Sequence, residues 1–166
     1  MGQGLGTLVG LVVTFTVTFV ILTFGLFIPP DVVDPQIIAD FLTFTDLELK
    51  LVVMGTVLYP ADLGIHLKYG AQEVPVLMFL TWGLGGLIAG LLSKDILPGV
   101  LSALFSAIIG AFLIWLMVFF VQVPDFTQIA GAESMLLLQR VLTGTLYPAI
   151  ATAFGGLLGG GISRER

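Results

Sequence analysis

The sequence contains no cysteine and no asparagine. Without cysteine the chain forms no disulfide and has no thiolate for nucleophilic catalysis, iron–sulfur ligation or palmitoylation. Without asparagine it has no acceptor for N-glycosylation. Two interpretations of this joint absence stay open, because heat-adapted proteins avoid both residues and because a short membrane protein uses both rarely.

Charge is scarce as well. Only 10% of the 166 residues are charged and 57% are hydrophobic, whereas roughly 25% of the residues in a soluble domain are charged. The formal net charge of −5 argues against nucleic acid as a partner, since phosphate binding needs clustered lysine and arginine. The composition therefore predicts one membrane domain over residues 1–166, with no separate soluble domain.

Four apolar stretches are long enough to cross a bilayer, which takes about 20 residues. They are Leu5–Ile28, Val74–Leu92, Leu97–Val121 and Leu136–Ile162. A lipid-exposed backbone must satisfy its own hydrogen bonds, so each stretch is expected to be a helix. The predicted fold class is an all-α integral membrane protein with four transmembrane helices and one partly structured extracytoplasmic loop at residues 29–73.

One segment of that loop, DLELKLVVM at residues 46–54, is ambiguous. Its leucines alternate as in a strand, but Leu47, Leu51, Met54 and Leu58 also follow the spacing of a helix face. We interpret the segment as a short helix that lies on the membrane surface or dips into it.

The basic residues near the helix ends predict the orientation in the membrane. On one side they are Lys94, Arg164 and Arg166, in very short segments, and on the other they are Lys50, Lys68 and Arg140. The second side also carries most of the acidic residues. We therefore expect a multi-pass protein of the plasma membrane, with both termini in the cytoplasm and residues 29–73 outside.

Small residues recur at every fourth position along all four stretches. Helices in lipid associate through close backbone approach, which favours small residues at their interfaces. The predicted helix-packing residues are Gly6, Gly10, Gly86, Gly90, Gly99, Ala103, Ala107, Ala111, Gly144, Gly156 and Gly160. The stripes do not distinguish packing within this chain from docking onto another protein.

The third stretch has two adjacent small faces, which predicts that it forms the centre of the bundle. Its Phe112, Phe119 and Phe120 are then expected to face lipid or a partner. Trp82 and Trp115 lie deeper within their stretches and are expected to be packing residues.

Two internal similarities are present. GGLIAGLLSKD at residues 85–95 resembles GGLLGGGISRE at 155–165, and GTVLYPA at 55–61 resembles GTLYPA at 144–149. Parallel repeats occur in transporters, but glycine-rich helix ends also arise repeatedly in unrelated membrane proteins. The two offsets, 70 and 89 residues, differ, which favours the second interpretation.

Few side chains are candidates for chemistry. Arg140, near the start of the fourth stretch, either extends to the interface or forms an ion pair with an acid. Asp62 is either a solvated loop acid or, if its segment enters the membrane, a buried proton-relay carboxylate. His66 is the only histidine and cannot complete a metal site alone. The sequence thus predicts no catalytic residue, no metal site and no cofactor.

These features favour a non-catalytic accessory or structural subunit of a larger multisubunit membrane complex, for example a respiratory or oxidase-type assembly. Such a subunit would pack against partner helices and cap the outer face of the complex. Its expected partners are other membrane subunits and lipids. The alternative is a small homo-oligomeric transporter or channel, with the glycine-rich helix ends as hinges. An enzyme is the weakest hypothesis, because no cluster of reactive side chains converges in the sequence.

Overall fold

The structure is a computed structural model that describes residues 2–24, 47–59, 74–122 and 132–164. The helices in these ranges are α1 (Gly2–Phe24), α2 (Leu47–Leu58), α3 (Val74–Ser93), α4 (Ile96–Gln122), α5 (Ala132–Gly144) and α6 (Leu146–Ser163). Among the described residues there is no strand, so the all-α prediction is confirmed. From Leu47 onward the ambiguous segment of the loop is helical and belongs to α2.

Within the described ranges, four segments are long and apolar enough to cross a membrane. They are α1, Val76–Ser93 of α3, Ile96–Met117 of α4, and Val141–Ser163, which runs from α5 into α6. Their polarity is inverted relative to a soluble bundle: Leu8 and Phe154 are 61% and 64% exposed, whereas Thr14 and Thr152 are fully buried. Small and hydroxyl-bearing residues therefore share the interior with a cluster of larger side chains that includes Met78 and Trp82, while many other large apolar side chains face outward.

The fourth predicted helix is divided in two. The sequence predicted one helix over residues 136–162, but α5 ends at Gly144 and α6 begins at Leu146. Pro148 has no N–H, so the Gly144 carbonyl cannot accept the usual bond from four residues further on. At the junction, Thr145 N donates to the Leu142 carbonyl at 3.1 Å, which is the tighter hydrogen-bond spacing of a 3₁₀ turn.

A tight turn joins α3 to α4 and makes them antiparallel. Lys94 adopts the left-handed conformation with φ of 59°, and Asp95 Oδ1 accepts a hydrogen bond from Ile96 N at 2.8 Å. Gly2 of α1 lies against the Leu92 backbone at the same end of the bundle. We call this the turn end, and the opposite end of the bundle the far end.

Helices α3 and α4 together form the middle of the bundle, because each of them contacts both α1 and α6. The largest interface is between α3 and α6, so α4 does not hold the centre alone as the sequence suggested. The reason is that α3 carries small residues on two faces: Gly85 lies against α1, and Gly86 and Gly90 lie against α6.

Candidate functional site

Helices α3 and α6 run parallel with their backbones in direct contact. A Cβ atom added to Gly86 would overlap the Thr152 carbonyl oxygen, and one added to Gly90 would lie 2.7 Å from Gly160 N. The contact is reciprocal, because a Cβ on Gly155 would lie 2.8 Å from Leu87 N. Only glycine fits at these positions, so the two helices are held together by main-chain contact.

This helix pair contains the first internal similarity of the sequence. Gly86 and Gly90 of α3 are 70 residues before Gly156 and Gly160 of α6, but the two pairs lie on different faces. The first pair faces α6, whereas Cβ atoms on Gly156 and Gly160 would point at Gly99 and Asp95. The glycines of α6 that face α3 are Gly155 and Gly159, so the similar segments do not make equivalent contacts.

Serine side chains connect α4 to α1. Ser102 Oγ donates to the Gln3 carbonyl at 3.0 Å. The Ser106 hydroxyl has two acceptors within reach, the Thr7 carbonyl of α1 at 3.1 Å and the Ser102 carbonyl of its own helix at 2.8 Å. Both acceptors are main-chain oxygens that already belong to a helix. The two serines thus add interhelical hydrogen bonds where the small side chains allow close approach.

Replacing both serines, in the double variant Ser102→Ala and Ser106→Ala, is expected to lower the free energy of unfolding by about 1–2 kcal/mol. Single interhelical hydrogen bonds in membrane proteins contribute roughly 0.6 kcal/mol on average. Thermal unfolding in mild detergent, followed by circular dichroism, measures the change. Thr143→Val is the control, because the exposed Thr143 bonds only within its own helix, to Gln139. An unchanged midpoint for the double variant would show that the serines act by size alone.

The buried threonines use their hydroxyls within their own helices. Thr18 donates to the Thr14 carbonyl at 2.9 Å, and Thr152 donates to the Pro148 carbonyl at 2.9 Å. Among the described residues, Thr23 Oγ1 is the buried side-chain polar atom that has no partner. These threonine hydroxyls therefore satisfy carbonyls of their own helix backbones.

Helix α2 contacts the bundle through its C-terminal end. The Tyr59 hydroxyl donates to the Ala107 carbonyl of α4 at 2.8 Å, and Trp82 Nε1 of α3 donates to the Leu58 carbonyl at 2.8 Å. The rings of Tyr59 and Trp82 meet edge to face, with centroids 5.3 Å apart. The segment Leu58–Tyr59 thus donates one hydrogen bond to the bundle and accepts another from it.

Two glycines make room for Tyr59. A Cβ on Gly110 of α4 would overlap the Tyr59 hydroxyl, and a Cβ on Gly144 at the end of α5 would lie 2.7 Å from the Tyr59 carbonyl oxygen. We call the cavity that Tyr59 fills, formed by Trp82, Ala107, Gly110 and Gly144, the Tyr59 socket. Burial raises the pKa of the Tyr59 hydroxyl well above its ordinary value, so the group stays a neutral donor.

The Tyr59 socket reaches the middle of the bundle. Trp82 and Ala107 are each eleven residues from the ends of α3 and α4 that meet at the turn, which is about 16 Å along a helix. The hydrocarbon core of a bilayer is roughly 30 Å thick. Tyr59, which follows α2, therefore lies about halfway along α3 and α4. The C-terminal end of α2 thus enters the bundle from the far end.

Most of the site residues that the sequence predicted are among the residues that the structure describes. All eleven predicted helix-packing residues are buried, and Trp82 is fully buried as expected for a packing residue. Asp62, His66 and the side chain of Arg140 lie outside the described residues. The backbone of Arg140 is in α5, directly before the apolar segment Val141–Ser163.

Sequence reasoning did not identify Tyr59 and Gly110 as partners. The available signal was the similarity between GTVLYPA and GTLYPA, because Tyr59 and Gly144 belong to these two segments and come together in the structure.

No group of three potential metal ligands occurs among the described residues. No protein-family model, curated protein or solved structure matches the chain.

Proposed function

We propose that this chain is a non-catalytic accessory subunit of a larger complex in the plasma membrane, with both termini in the cytoplasm. The observation that carries the proposal is a groove of about 580 Å³ between α1 and α4, lined by residues that include Gly4, Leu8, Phe105 and Ile109. Phe105 and Ile109 are 49% and 43% exposed there, so the groove is open to the surroundings of the bundle.

Gly4 is an open position within this groove. A Cβ on Gly4 would meet no atom within 4 Å, whereas the neighbouring Gly6 is enclosed by the Ala89 carbonyl and by Ser93. Gly4 therefore serves no packing contact within the described chain. A glycine in an apolar groove lets the backbone of another helix approach, and we assign the groove to a transmembrane helix of a partner subunit.

The hydrogen bonding of the interior supports a structural role. Buried hydroxyls such as those of Thr14 and Thr81 donate to carbonyls of their own helices at 3.0 Å. Main-chain contacts close the space between α3 and α6. The bundle is thus built for close packing, which suits a subunit that fills space between the helices of its partners.

Native mass spectrometry of the protein extracted from its own membranes in mild detergent tests the proposal, with identification of every chain that copurifies. We expect stoichiometric association with a larger subunit. A homo-oligomer without other chains would contradict the accessory role.

The variant Gly4→Leu is expected to weaken association with the partner about tenfold or more, because its side chain fills the groove and such overpacking costs roughly 1–3 kcal/mol. The fold of the chain itself should be unchanged. Gly161→Leu is the matched control, since Gly161 also has nothing within 4 Å but lies at the other end of the sequence, in α6. Equal copurification of both variants with the partner would exclude the groove as the contact.

A homo-oligomeric transporter or channel is the second candidate. One observation favours it: α2 ends inside the bundle, next to the break between α5 and α6, and interrupted helices at membrane depth are typical of transporter sites. Flux through vesicles that contain only this chain would support this candidate, and its absence would leave the accessory role favoured.

A further inference from the structure

We infer that the partner helix crosses α1 at an angle, with its closest approach at Gly4, and diverges from α1 toward the far end of the bundle. This crossing rests on the accessory role proposed above and specifies how the partner helix lies in the groove between α1 and α4. The contact then belongs to the turn-end half of the bundle alone.

The serine hydrogen bonds fix the register of α1 against α4, two helices that both begin at the turn end. Ser102 of α4 lies beside Gln3 of α1, and the next serine repeats the same difference of 99 residues. Phe105 and Ile109, which line the groove on α4, are therefore level with positions 6 and 10 of α1. The two walls of the groove thus cover the same depth.

The groove is short compared with the membrane. On α1 its lining runs from Gln3 to Leu11, a rise of about 12 Å along the helix. The hydrocarbon core of a bilayer is roughly 30 Å thick. Because α1 begins at Gly2, the groove occupies less than half of this depth, on the side of the turn end.

Large side chains cover the same two helix faces beyond the groove. Phe19 follows the groove residue Leu8 by eleven residues, which is three helical turns, so both lie on one face of α1. Phe112 follows Phe105 of α4 by two turns in the same way. Phe19 and Phe112 are 48% and 45% exposed, whereas Gly4 has open space in place of a side chain. A partner backbone can therefore come close at Gly4 and is held away further along.

A single point of close approach is the geometry of membrane helices that cross at a small residue, with angles of roughly 40°. Phe19 is about 22 Å along the helix from Gly4. At that angle the partner is displaced sideways by about 14 Å at the level of Phe19, which exceeds the diameter of a helix with its side chains. The partner helix therefore contacts Leu8, and lipid covers Phe19.

Photocrosslinking of the full chain in its own membranes tests this crossing. The photoreactive amino acid p-benzoylphenylalanine replaces either Leu8 or, as the control, Phe19. These side chains are 61% and 48% exposed on one helix face, so both positions accept a large ring at the surface. Adducts are quantified after irradiation on denaturing gels and identified by mass spectrometry. Copurification of the same partner with both forms shows that each of them is assembled.

We expect position 8 to give about fivefold more adduct with the partner than position 19, because the two helices have separated at the second level. Adding Gly4→Leu should lower the yield at position 8 to the level of position 19. Adding Gly161→Leu should leave it unchanged, since Gly161 is equally open but lies in α6.

The remaining outcomes separate the crossing from the proposed function. Partner adducts of similar yield at both positions, or a larger yield at position 19, would overturn the crossing and leave the accessory role intact. An adduct between two copies of this chain at position 8 would overturn the crossing and the assignment of the groove to a different subunit. Lipid adducts alone at both positions would likewise overturn the crossing and that assignment.

Discussion

Gly86→Ala is expected to separate α3 from α6 and to destabilise the folded chain by about 3 kcal/mol or more, at the upper end of the range for overpacked cores. The added methyl group would lie 2.9 Å from both Cα and the carbonyl carbon of Thr152 and would overlap its oxygen. These are backbone atoms, which no rotamer change can move away. We expect a large loss of monodisperse protein in size-exclusion chromatography and a strongly lowered thermal midpoint.

Gly83→Ala is the control for this variant. Gly83 lies three residues earlier on α3, and a Cβ there would meet nothing within 4 Å. Its replacement removes a flexible glycine from a helix, so the chain should be as stable as the original or slightly more stable. If both variants unfold at the same temperature, the main-chain contact between α3 and α6 is not what holds the bundle.

Trp82→Ala is the second change with a large expected effect, about 3–5 kcal/mol in the free energy of unfolding. The indole is fully buried, so its removal leaves a cavity beside Tyr59 and Ala107 and deprives the Leu58 carbonyl of its donor. Circular dichroism during denaturant titration measures the change.

Phe79→Ala, one turn away on α3, is the matched control. Phe79 is 44% exposed on the outside of the bundle, so its removal should change stability by only about 0.5 kcal/mol. Trp82→Phe should fall between the two, because it keeps most of the ring and loses the N–H. A Trp82→Ala variant as stable as Phe79→Ala would contradict the central role of the indole.

The helices and their small faces were readable from the sequence because both depend on local spacing. In lipid, a long apolar stretch has to be helical, and glycine at Gly86 and Gly90 has the same meaning wherever the partner helix lies. The position of the break at Thr145 was not predicted, although Pro148 supplies its cause. A proline inside an apolar stretch is tolerated in some membrane helices and interrupts others, and the outcome depends on the neighbouring helices.

The Tyr59 socket could not be predicted from the sequence, for a different reason. Tyr59 and Gly110 are far apart in the chain, and a glycine that accommodates a distant side chain looks the same as one that accommodates a helix backbone. The spacing of the apolar residues in α2 predicts that this segment is a helix. It does not predict how far the helix extends into the bundle. Only the tertiary arrangement shows that its end reaches Trp82.

The parallel pairing of α3 with α6 also sets the order of events during synthesis. Gly90 and Gly160, whose backbones approach each other, are 70 residues apart in the chain, and a ribosome adds about 5–20 residues per second. For several seconds α3 therefore sits beside α1 and α4 with one glycine face open to lipid or to a wrong neighbour. The bundle locks only when α6 enters the membrane, which makes insertion of this helix the step at which a chain is either completed or exposed to membrane quality control.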